Sequence, residues 1–199
     1  MATRHTGASK RGSMRHTPAL ACVRVAVPSI HPLMSARVST ATHLRYAAGF
    51  IALGLHADAS AELAAIAPND QATLSVLTLR ARVCAELGDW PAAAALGDSL
   101  CQRAPANAGH WIQWAYAVRR HTGIPAAREI LLTGLGLHPQ ESILHFNLAC
   151  YDTQLGNLPA ARAHLRNACT LESACREVAL ADSDLEPIKT WVTAGMPPD

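Results

Sequence analysis

Six cysteines and ten histidines are the residues of this chain best able to do chemistry. A thiolate is a nucleophile and a soft metal ligand, and an imidazole is a base or a borderline ligand. Either role needs a spacing that brings the donors together. Cys84 with Cys101 and Cys150 with Cys169 fall on separate helices of their units, no pair forms C-x-x-C, and Cys169 with Cys175 lacks the context of a zinc knuckle. No histidine pair makes H-E-x-x-H, and there is no phosphate loop or dinucleotide fingerprint. A Cys nucleophile with a His base is compatible with the counts, but no motif marks a pair. The residues therefore read as packed imidazoles and free thiols in a reducing compartment, with no catalytic residue, no metal and no cofactor.

The elements that carry these residues repeat. Alanines stand 34 residues apart at Ala47, Ala81, Ala115 and Ala149, and again at Ala59, Ala93, Ala127 and Ala161. Gly54, Gly88 and Gly156 share a third register, with Gly123 one residue late. Pro91, Pro125 and Pro159 stand where a helix would start, since a first-turn residue needs no N–H partner. Pro105 and Pro139, also 34 apart, close two units. Between these marks the apolar residues follow a helical period, as in Leu148, Ala149, Tyr151 and Leu155, and no alternation suggests a sheet. Each unit reads as two helices and a turn, and one such pair cannot bury its apolar face alone. His43 and His145 share a unit position, which fits packing better than metal binding.

A 34-residue helix–turn–helix with Ala at positions 8 and 20, Gly near 15 and Pro at 32 resembles the tetratricopeptide repeat, and the chain is similar to small bacterial proteins built of it. The resemblance implies an all-α, right-handed solenoid of four units, 40–73, 74–107, 108–141 and 142–173, followed by capping helices and tail over 174–199. Departures are Gln71 and Ser173 at the closing proline, Gly97 and Gly134 in place of larger residues, and Arg80 and Asp152 at positions usually apolar. His43, Tyr46, Ala47 and Phe50 are expected to face inward from the first helix. Asp182-Ser183-Asp184 is expected to cap a last helix carrying Leu185, Ile188, Trp191 and Val192.

In this family the first helix of each unit lines a concave groove. Carried over by position, the groove would hold Leu44, Ala48, Ile51, Thr78, Arg82, Ala85, Glu86, Ile112, Tyr116, Arg119, Arg120, Ile143, Phe146, Cys150 and Thr153. The resemblance implies a non-catalytic module that binds a segment of another protein. Of the groove residues Leu44, Arg82, Ile112, Tyr116, Arg119 and Phe146, the Ile112–Tyr116–Phe146 region would take apolar anchors, and Arg82 and Arg119 would take an acid or a C-terminal carboxylate. The alternatives are an assembly scaffold acting through self-association or docking in a complex, and a secretion chaperone of the same repeats; the groove residues are also open to a reading in which they only contact adjacent repeats or are covered by the chain's own tail. The carboxylate clamp of repeat co-chaperones is not matched: positions 5 and 9 hold Leu44, Thr78, Ile112, Phe146 and Ala48, Arg82, Tyr116, Cys150, and only Asn147 fits its pattern.

Charge is uneven. Residues 1–39 hold six of the seventeen Lys and Arg and none of the fifteen acids, leaving a mildly acidic repeat body, so the overall balance does not point to nucleic acid. That basic segment reads as a disordered arm, as sequence upstream of a start at Met14 or Met34, or as a targeting peptide. The longest apolar runs are too short to span a bilayer. The expected location is cytoplasmic, with organelle targeting or export through 1–39 as the alternative.

Overall fold

The first helix begins where Ser39 stops the extended chain: its hydroxyl accepts the Thr42 N–H at 3.2 Å. The computed structural model describes residues 38–197, and the readings made for residues 1–37 lie outside them. The described residues form helices and turns and no strand. Four helix pairs follow one another: α1 (Thr40–Ala52) with α2 (His56–Ala64), α3 (Leu74–Glu86) with α4 (Trp90–Arg103), α5 (Ala108–His121) with α6 (Ile124–Leu137), and α7 (Ser142–Gln154) with α8 (Leu158–Leu171). Short 3-10 turns at Pro68–Asp70 and Ser183–Ile188, α9 (Cys175–Ala181) and α10 (Lys189–Thr193) complete the chain.

The turns explain the glycine register. Gly54, Gly88 and Gly156 adopt φ between +73° and +78°, the left-handed region that a side chain disfavours. Gly123, one residue late, has φ of +128° because α5 and α6 are joined by two residues, where the other pairs use three. The eight periodic alanines are 0–4% exposed. Small residues there let paired helices approach until larger neighbours close around them.

Two of the departures have one cause. Gly97 on α4 and Gly134 on α6 press against α5 from either side. A Cβ on Gly97 would lie 2.7 Å from Trp114 Cβ, and one on Gly134 would lie 2.8 Å from Trp111 Cβ. Bulk has moved from the second helices to the tryptophans of α5. Gln71 replaces the closing proline because its amide caps α2, donating to the carbonyls of Ile66 (2.6 Å) and Leu63 (3.1 Å). Where the proline is kept, the residue six positions later binds its carbonyl: Trp111 Nε1 donates to Pro105 O (3.0 Å) and His145 Nε2 to Pro139 O (3.2 Å).

Asp152 is 0% exposed and survives because Arg128 crosses from α6 to meet it, Nε to Oδ1 at 2.7 Å. Its second oxygen faces His164 Nε2 at 3.9 Å, and His164 Nδ1 contacts His145 Nδ1 at 3.2 Å. His43, at the same unit position as His145, donates through Nδ1 to Glu62 at 2.7 Å. Both histidines join a first helix to its partner.

The core falls into two clusters. Seven residues from Ala47 to Val83 form the first, and a larger one runs from Cys101 to Val192, taking in Leu185, Ile188 and Trp191 of the C-terminal elements. Some expected inward residues point out: Tyr46 is 47% exposed, and Leu155 of the apolar period is also on the surface. Tyr46 lies on the outer side of α1, where no helix of the described chain precedes it to bury it.

Candidate functional site

The first helix of each pair supplies the groove positions, and the structure divides them. Ile112, Tyr116 and Arg119 share one face of α5, at the three- and four-residue spacing that stacks side chains on a helix. They line a hollow of about 300 Å³ with Gln113, Cys150, Tyr151, Asp182 and Asp184. Tyr116 and Gln113 also border a second hollow of about 250 Å³, shared with Arg82, Ala85 and Glu86. Arg82 and Tyr116 are exposed, Tyr116 at 43%, and Ile112 is half-buried. Leu44 and Phe146 are half-buried, packed against the first and second core clusters, and border neither hollow. Ile51 belongs to the first core cluster and not to the groove surface.

Over the last pair the groove is partly covered by the chain itself. Cys150 and Thr153, at groove positions, are 4% exposed. The 3-10 segment Ser183–Ile188 lies on α7. Leu185 is fully buried, Gln154 Nε2 donates to Asp184 O at 2.9 Å, and the Asp184 carboxylate meets Arg119 Nη1 at 2.7 Å. Arg119 also lies over the Tyr151 ring, 5.1 Å from its centroid. The bond to Asp184 holds the guanidinium even more firmly protonated than usual. Asp182 caps the segment by accepting the Asp184 N–H at 2.8 Å.

Cover of the groove by the chain's own tail is one of the readings the sequence leaves open, and the structure places Ser183–Ile188 there. The Asp182–Ile188 stretch reads from sequence as an end cap, which it is. Its second role, seating an acid on a groove arginine, follows only once the chain turns back over α7. Arg120 is also organised, lying over Trp90 and Tyr116 at 5.5 and 5.3 Å and donating to the Tyr116 hydroxyl at 3.2 Å.

The thiols among the described residues are poor nucleophiles. Burial, with Asp182 beside it, pushes the Cys150 thiol well above its ordinary range; burial raises Cys101 to about 12 and Cys175 to about 11. The donors of Cys150, Asp182 and Asp184 lie within 4.8 Å of one another, close enough to chelate. Yet Asp184 is committed to Arg119 and Asp182 to a backbone N–H.

Solved structures share this architecture. The chain is similar to TTC0263, a thermophilic TPR protein in Thermus thermophilus, at 21% identity and TM-score 0.60 over 77% of this chain and 82% of that one. It is similar to a double mutant of MamA RS-1 at 15% identity and TM-score 0.60, covering 67% and 75% of the two chains. MamA AMB-1 gives 20% identity and TM-score 0.56 over 71% and 78%. No protein-family model and no curated protein matches the sequence. The likeness defines the fold: this chain is an all-α solenoid of tetratricopeptide type. No helix among the described residues is long and apolar enough to cross a membrane.

Proposed function

We propose that the protein is a non-catalytic interaction module that binds a segment of a partner protein in the groove over α3 and α5. One observation supports this reading above the others. The chain's own Asp184-Leu185 already binds the α5–α7 part of the groove as the proposed partner would, with an acid on Arg119 and an apolar side chain buried beside it. The neighbouring hollow offers the same chemistry without an occupant from the described chain: Arg82 beside Tyr116 and Ala85. An acidic residue or C-terminal carboxylate next to an apolar anchor suits it, through a charge-assisted bond in a partly desolvated trough. Arg82→Glu is expected to abolish partner capture from cell extract while helical circular dichroism stays unchanged. Undiminished capture by the folded variant would remove the arginine from the site.

A scaffold acting through self-association has its own observation. Tyr46 of α1 and Leu53 in the turn after it are exposed on the first pair of the described residues, Leu53 at 73%. Light scattering after size exclusion separates the readings: a dimer that Tyr46→Glu and Leu53→Glu together dissolve would favour assembly through that first pair.

A further inference from the structure

On the side of α5 away from the groove, α4 and α6 flank a cavity of about 490 Å³. It falls within the usual range for small-ligand sites, about 300–1,000 Å³. Its aromatic lining is Trp111 and Trp114, whose rings stand 5.9 Å apart and tilted by 45°. Gly97 and Gly134 press on the Cβ atoms of both tryptophans, so the indoles are fixed from below. Pro105 O accepts from Trp111 Nε1 at 3.0 Å and from His138 Nε2 at 2.9 Å, which ties the α4–α5 loop to the end of α6 along one edge. Ile130 and Leu137 continue the apolar wall, and Leu137 is left 54% exposed.

The charged residues of the lining are both acids, Asp98 and Glu129. Asp98 accepts a bond from Gln102 at 2.9 Å, and Glu129 meets one nitrogen of Arg128 at 3.3 Å. Arg128 makes its shorter contact, 2.7 Å, with the buried Asp152, so the exposed Glu129 at the rim is the more loosely paired of its two acids. An aromatic floor has a negative π face, and two carboxylates at its rim act in the same direction. An anion would meet repulsion from every charged group of the lining.

We infer that this cavity is a binding site for a small organic cation, an ammonium or guanidinium group on an apolar or aromatic body, held on the Trp111 and Trp114 indoles with its charge met by Asp98 and Glu129. The site is separate from the groove and does not depend on the function proposed for it. Three probes share a phenyl body: benzyltrimethylammonium, neutral 3-phenylpropan-1-ol and anionic 4-phenylbutyrate. Each is titrated into the full chain while the indole N–H signals are followed by NMR, assigned through single Trp→Phe variants. The cation is expected to shift Trp111 and Trp114 saturably and to bind about tenfold more tightly than the neutral probe, with the anion weakest. Asp98→Asn with Glu129→Gln, both at the rim, is expected to bring the cation down to the neutral probe's affinity with melting temperature unchanged. Thr133→Phe, which plugs the mouth, is expected to weaken cation and neutral probe alike. Equal affinity for the three probes, or cation shifts confined to Trp90 and Trp191, would overturn the inference.

Discussion

The same groove positions behave differently at the two ends of α5. Toward α3 they are open: Arg82 is exposed, and Tyr116 stands at the edge of a hollow that no part of the described chain fills. Toward α7 they are covered in part by the chain itself: Cys150 and Thr153 are buried and Arg119 is paired with Asp184, so that the acids of the terminal segment wall the hollow on that side. Repeat geometry is the same on both sides, so the difference lies in what covers it. An end repeat has no neighbour to bury its outer face, and here the terminal elements supply the cover. They cover the groove as well, with an acid and an apolar residue. Under the proposed function, that contact is the kind the other half would make with another chain.

The largest predicted effect breaks the closed half from beneath. Arg128→Met leaves Asp152 buried without its cation, which costs about 3–5 kcal/mol in denaturant unfolding. The paired change Arg128→Met with Asp152→Leu should recover most of that loss. If the single variant is as stable as wild type, Asp152 does not depend on the pair.

Leu185→Ala removes the apolar side chain that seats the covering segment and is expected to cost about 2–4 kcal/mol. It should also speed alkylation of Cys150, which is buried under that segment. Lost stability without faster labelling would mean that the segment stays closed by other contacts.

A smaller effect distinguishes the halves by pH. Burial lowers the His164 pKa below the ordinary 6.5, against the opposing pull of Asp152 and with help from His145 and Arg128. The unfolded chain therefore takes up this proton first as pH falls. The stability due to neutral His164 is complete above about pH 6.5 and is lost below it, down through the lower folded value. Melting temperature between pH 7 and pH 5 should fall further for wild type than for His164→Phe. Equal slopes would show that His164 does not report on the closed half.

Much of the fold was legible because repetition supplied internal controls. Any one alanine or glycine is weak evidence, but Ala47 to Ala161 in two registers carry the helix pairing by themselves. The exceptions were visible and their reasons were not. Gly97 and Gly134 look like weak points until the tryptophans they accommodate lie on the neighbouring helix, outside the reach of a local pattern. Asp152 looks misplaced until Arg128 of the preceding repeat reaches it. The groove was legible only as far as register goes. Position 9 marks Arg82, Tyr116 and Cys150 equally, yet Cys150 is buried by a segment 32 residues further on. What the period cannot encode is the terminal turn-back, because it occurs once.

The proposed partner enters the open groove beside Tyr116 and Arg82. Photocrosslinking with benzoylphenylalanine tests it most directly, placed in turn at Gln113, which borders both hollows, and at Glu172, exposed just beyond α8. A crosslinked partner band is expected from position 113, removed by Arg82→Glu, and none from position 172. A band from position 172 alone would contradict it and place recognition outside the groove.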